Sequence, residues 1–91
     1  MEYENVMEKY VAEKLDEVLD TLDCCKCDRC KADIISYALN RLAPRYVSTD
    51  RGRVFVKVNT MSSQFEIDIL TAIYEGADVV KKHPRHGKAA D

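Results

Sequence analysis

The chain has 91 residues, which fits one domain and not two. Its 46% apolar and 33% charged composition is that of a globular protein, and no apolar run is long enough to span a bilayer. The net charge of −2 argues against a general nucleic-acid binder, and the acidic start Met1-Glu2-Tyr3-Glu4 lacks the order of a signal peptide, so a cytoplasmic protein with reduced thiols is expected.

Residues 3–22 read as a first helix. Met7, Val11, Leu15, Val18 and Leu22 recur at helical spacing on one face, and Tyr3, Val6, Tyr10 and Leu19 widen that stripe. The opposite face carries Glu8, Lys9, Glu13, Asp16, Glu17 and Asp20. Residues 1–23 hold eight acids and two bases, a net −6.

The loop Asp23-Cys24-Cys25-Lys26-Cys27-Asp28 follows, with Asp28 as the expected N-cap of a second helix running to about Leu42. Ile34, Ile35, Ala38, Leu39 and Leu42 form its apolar positions, and Ala43-Pro44 stops it. Residues 45–49 read as extended, Asp50-Arg51-Gly52 as a turn, and Val54 to Val58 as a short strand that would make a hairpin with 45–49. A third helix is expected from about Ser62 to His83, with Ser62 or Ser63 as cap and Glu66 closing a capping box. Phe65, Ile69, Ile73, Ala77 and Val80 form one stripe, and Ile67, Leu70 and Tyr74 form a second on an adjoining face. An apolar arc that wide suits a central helix or a subunit interface. Pro84 ends the helix. The fold expected is mainly α, three helices with a short strand or hairpin between the second and third. It is one domain over 1–83, with a tail over 84–91 and a homodimer as the assembled form.

All four cysteines fall within seven residues. Cys25-x-Cys27-x-x-Cys30 sets three thiols on one tight loop that enters a helix. The two-residue gap between Cys27 and Cys30 lets both sulfurs face one ion. The helix N-terminus with Lys26, Arg29 and Lys31 is expected to lower the thiol pKa, which favours the thiolate a metal needs. Zinc is the favoured ion. An iron–sulfur cluster, a redox-sensing pair and unligated thiols are the other readings, while a disulfide between Cys24 and Cys25 is geometrically awkward. A structural zinc takes four ligands, and the fourth is open among Cys24, His83, His86 and a group from another subunit.

Residues 24–57 hold eight bases and three acids, a net +5, against −1 for residues 58–91. Arg41, Arg45, Arg51 and Arg53 surround Tyr46 and Phe55 in sequence. Arginine forks match phosphate oxygens, and arginine and tyrosine planes stack on bases, so these residues form a candidate site for a nucleotide or another anion. The plainer reading is that the arginines pair with the acidic first helix. No Gly-rich phosphate loop, HExxH, GxSxG or paired-carboxylate pattern is present, and no catalytic activity is expected.

The string Cys27-Asp28-Arg29-Cys30-Lys31-Ala32-Asp33-Ile34, then Ala38-Leu39-Asn40-Arg41-Leu42-Ala43-Pro44-Arg45-Tyr46-Val47, resembles the late-competence ComFB family. The likeness continues through Gly52 and the third helix to His83-Pro84-Arg85-His86. It implies a small, mostly helical, dimeric bacterial protein without enzymatic activity, linked to competence or motility. Members that keep the cysteines are expected to hold zinc, and some members are receptors for cyclic dinucleotides such as cyclic di-GMP or cyclic di-AMP. The segment Pro44-Arg45-Tyr46-Val47 and the following Arg51-Gly52 match family positions near the presumed nucleotide site, whereas Arg53 matches none. The rival expectation is an interaction adaptor of the competence machinery with no small ligand. Direct DNA binding is disfavoured by the acidic balance.

Overall fold

The computed structural model describes residues 3–48 and 63–83. The chain opens with a two-residue strand, β1 (Glu4–Asn5), and enters helix α1 (Val6–Val18). A 3-10 turn (Leu19–Thr21) and the cysteine loop lead to α2 (Asp28–Arg41). A second short strand, β2 (Tyr46–Val47), precedes α3 (Ser63–Lys82). The three expected helices and the short strand between the second and third are therefore all present.

The described strand also has a partner that the sequence did not announce. β2 pairs antiparallel with β1, Glu4 opposite Val47 and Asn5 opposite Tyr46. The expected turn at 50–52 and strand at 54–58 lie outside the described residues, as does the tail over 84–91. α1 is also shorter than its apolar pattern. Glu4 and Asn5 are committed to β2, and the Asn5 side chain caps the helix by accepting from the Met7 amide at 3.1 Å. At the other end the Thr21 hydroxyl donates to the Val18 carbonyl at 2.6 Å, within the 3-10 turn that replaces the last helical turn. Tyr3 thus leaves the apolar stripe. It is 69% exposed, with its ring edge-on to Tyr46 at 6.2 Å.

The core is a three-helix contact in which α2 and α3 pack most extensively and α1 crosses both. Met7, Val11 and Leu15 come from α1, Cys30, Ile34 and Ala38 from α2, and Ile69, Ala72, Ile73, Ala77 and Val80 from α3. Gly76 is what lets α3 come close to α2. A Cβ there would lie 3.2 Å from both the Ile34 carbonyl oxygen and the Tyr37 ring. The second apolar stripe of α3 remains open within one chain: Ile67 and Tyr74 are exposed and Leu70 half-buried. Ser63 is the first helical residue, and Glu66 accepts from Lys14 of α1 at 3.0 Å. Among the described residues no helix is long and apolar enough to cross a membrane.

Candidate metal centre

The cysteine loop ends where α2 begins, and the join is made by sulfur. Cys27, not Asp28, is the N-cap: its backbone is extended and its Sγ accepts from the Cys30 amide at 3.4 Å. Asp28 is already inside the helix, and the Lys31 amide closes the first turn on the Cys27 carbonyl at 2.9 Å. The two-residue gap thereby turns Cys27 and Cys30 toward each other. Cys30 is fully buried among the core side chains, while Cys25 and Cys27 are half-buried against them.

The Sγ atoms of Cys25, Cys27 and Cys30 all lie within 4.8 Å of one another. Bonds of about 2.3 Å to a tetrahedral zinc would set sulfurs roughly 3.8 Å apart, so a small closing movement suffices. Three soft donors converging on one point at a helix N-terminus fit such an ion. Cys24 is half-buried next to them but does not join the group. His83 is exposed just beyond α3, where its amide donates to the Val79 carbonyl at 2.9 Å, and it does not join either. His86 lies outside the described residues.

The electrostatics without metal reverse the sequence expectation for Cys30. Burial, then hydrogen bonds with Cys27 and Cys25, push its thiol up from 9.0 to about 12. Burial likewise pushes up the Cys24 thiol, against the opposing pull of Lys26. A helix N-terminus and nearby ammonium groups favour a thiolate only when it keeps some solvation; a fully enclosed thiol crowded by two others keeps its proton. A cation of charge two bound there would supply the compensation that the surrounding bases do not.

The basic, aromatic residues are distributed differently. Arg41 lies over the ring of Tyr37 on its own helix at 4.7 Å. Arg45 lies over Phe65 of α3 at 4.5 Å, and Phe65 meets Tyr10 edge-on at 6.2 Å. Tyr46, next in sequence, is 63% exposed beside Tyr3. The structure therefore brings Arg45 and Tyr46 to one strand segment but seats Arg41 separately, and Arg51 and Arg53 lie outside the described residues. An open recess beside Tyr3 and Tyr46 is lined by Glu4, Asn5, Glu8 and Lys9, a mixed polar surface with two acids and one base.

Asn5 organises this end, a role that the apolar periodicity of the segment does not announce. Its Oδ1 accepts from the Arg45 amide at 2.9 Å as well as from Met7, and the Val6 amide donates to the Arg45 carbonyl at 2.8 Å. The signal was present in Asn5-Val6-Met7-Glu8, a capping pattern at the true helix start.

A model of the family described as late competence development protein ComFB matches residues 4–84. The chain is 30% identical over 81 residues to the competence protein ComFB of Bacillus subtilis strain 168, covering 88% of this chain and 83% of that one. It also superposes on the solved structure of the late competence protein ComFB from Bacillus subtilis. That match has a TM-score of 0.82 and 28% identity, and covers 91% of this chain and 92% of the other.

Proposed function

The chain belongs to the ComFB family, and on that premise we propose that it is a non-enzymatic regulatory module of competence whose fold is fastened by one zinc ion on Cys25, Cys27 and Cys30. The observation that carries the metal part is the convergence of three thiols within 4.8 Å at the start of α2. With a fourth protein ligand, from Cys24, a histidine at the end of α3 or a partner subunit, the ion is closed to water and serves structure. It then holds the loop after α1 against the helix that follows, in a domain whose small core benefits from such a staple. Native mass spectrometry tests this directly. One zinc per chain, lost with chelator, is expected; a metal-free spectrum from protein purified without chelator would sink it.

The finer reading is that the module is a cyclic dinucleotide receptor acting as a homodimer. It is supported by the net +5 of residues 24–57 and by the exposed ring of Tyr46 directly after Arg45. Two such surfaces related by a two-fold axis would match a two-fold symmetric ligand. Calorimetry with cyclic di-GMP and cyclic di-AMP on zinc-loaded protein should give heat that Arg45→Ala abolishes. No heat with either nucleotide rejects the receptor and leaves the adaptor reading. That reading is supported by the exposed Ile67, Tyr74 and Val79 of α3.

A further inference from the structure

α2 carries one end of the cysteine loop; the other end is carried by α3. The single hydroxyl proton of Thr21 goes to the Val18 carbonyl, so its 2.9 Å contact with Tyr74 is the phenol donating to Thr21 Oγ1. Two residues later Asp23 accepts from the Lys81 ammonium. Between them Leu22 is 4% exposed and belongs to the same core as Ala77 and Val80. Tyr74, Ala77 and Lys81 follow one another at steps of three and four residues, which places them on one face of α3. The arm Thr21–Asp23 is thus attached to that face along its length, immediately before Cys24 and Cys25.

We propose that Tyr74 and Lys81 are positioning residues for the metal centre: holding the arm on α3, they aim Cys25 at Cys27 and Cys30, and so link metal loading to the seating of the C-terminal half of α3. The inference rests on the zinc reading above. A loop tethered at one end only must lose conformational freedom when it ligates an ion, and an arm already fixed loses less. Coupling is reciprocal, so an ion that pins the loop also holds the arm and the helix beneath it. An exposed ion pair is individually weak, which sets the expected size at a few-fold.

Zinc affinity by chelator competition is compared among the wild type, the Tyr74→Phe/Lys81→Met double variant and Lys81→Arg. Lys14→Met serves as a control, since it removes a different bridge, from α1 to Glu66 near the start of α3. The double variant should bind zinc about fivefold more weakly, while Lys81→Arg and Lys14→Met stay within about twofold of the wild type. Hydrogen exchange supplies the second readout. Zinc should slow exchange of the last-turn amides of α3 in the wild type but not in the double variant, while protecting the first turn of α2 in both. Equal affinity together with equal protection of α3 overturns the inference and leaves the zinc reading intact. A wild type with neither zinc-dependent protection anywhere nor a cobalt–thiolate absorption band overturns both.

Discussion

At the start of α2, three thiols drawn from six consecutive residues meet within 4.8 Å; at its far end, about 20 Å away, Arg45 is held by Asn5 from forty residues earlier. The first end is largely local chemistry: a short spacing and a helix start turn Cys27 and Cys30 toward each other, while the arm before Cys24 and Cys25 is tied to α3. The second end exists only once the fold has formed, because Asn5 and Arg45 come from segments that meet across a two-stranded pairing. Geometry read from spacing therefore holds at the cysteine end. At the arginine end Arg41 is taken up by Tyr37 one turn back on its own helix, and Arg45 by a tertiary contact that turns it onto Phe65.

Removing a sulfur tests that contrast most severely. Cys30→Ser deletes a proposed ligand and puts a hydroxyl where a fully buried thiol belongs to the core. Loss of zinc and the largest fall in melting temperature among these variants are expected, because structural zinc carries a sizeable share of folding free energy in small domains. Cys24→Ser, outside the three-thiol group, should cost far less, and retention of the ion assigns the fourth ligand elsewhere. Elemental analysis beside a thermal scan reads both.

Acidification should act on the same end and spare the other. The metal-free Cys30 thiol holds its proton to about 12, so zinc must displace that proton at any lower pH. Affinity then falls about tenfold per pH unit for each thiol proton released, measurable by competition between pH 8 and 6. The metal-free protein carries the opposite dependence at high pH. The folded state binds the Cys30 proton more tightly than the unfolded chain, whose thiol titrates near 9.0. That stabilisation is complete below 9 and is lost as the pH rises toward 12. A flat affinity across pH 8 to 6 would mean that the ion is not held by Cys30.

The arginine end is better probed at Asn5 than at the arginines. Asn5→Ala removes the cap of α1 and the acceptor for the Arg45 amide together, at a cost of about 2 kcal/mol in urea unfolding. Zinc content should be unchanged. If metal were lost as well, the two ends would be one cooperative unit and their separation would be false.

The helices and the cysteine centre were legible because each depends on periodicity or spacing within a dozen residues. Met7, Val11 and Leu15 are buried as their spacing requires, and Ile69, Ile73, Ala77 and Val80 likewise. What escaped was set by competition between groups far apart. The apolar pattern carries α1 back to Tyr3, but pairing of Glu4 and Asn5 with β2 outweighs another helical turn. Basic neighbours suggest an acidic Cys30 thiol, but its burial comes from a core assembled from all three helices, which no local rule states. Phe65, read as core, also serves as the platform under Arg45.

The smallest expected effect falls between the two ends. Gly76 sits where α3 crosses α2, and an added methyl would stand 3.2 Å from the Ile34 carbonyl and the Tyr37 ring. Replacing a helical glycine by alanine ordinarily gains about 1 kcal/mol of helix propensity. The backbone carbonyl of Ile34 cannot swing aside as a flexible side chain would, so overpacking of roughly 1–3 kcal/mol opposes that gain. A net loss of about 1 kcal/mol is expected for Gly76→Ala by urea unfolding. The displacement would reach Arg41 through Tyr37 on one side and the arm at Thr21–Asp23 through Ala77 and Lys81 on the other. If zinc affinity falls in Gly76→Ala while Asn5→Ala leaves it unchanged, the metal centre is coupled to the seating of α3 on α2 and not to the pairing of the two strands. The comparison then becomes one between a centre that senses helix packing and a surface that does not.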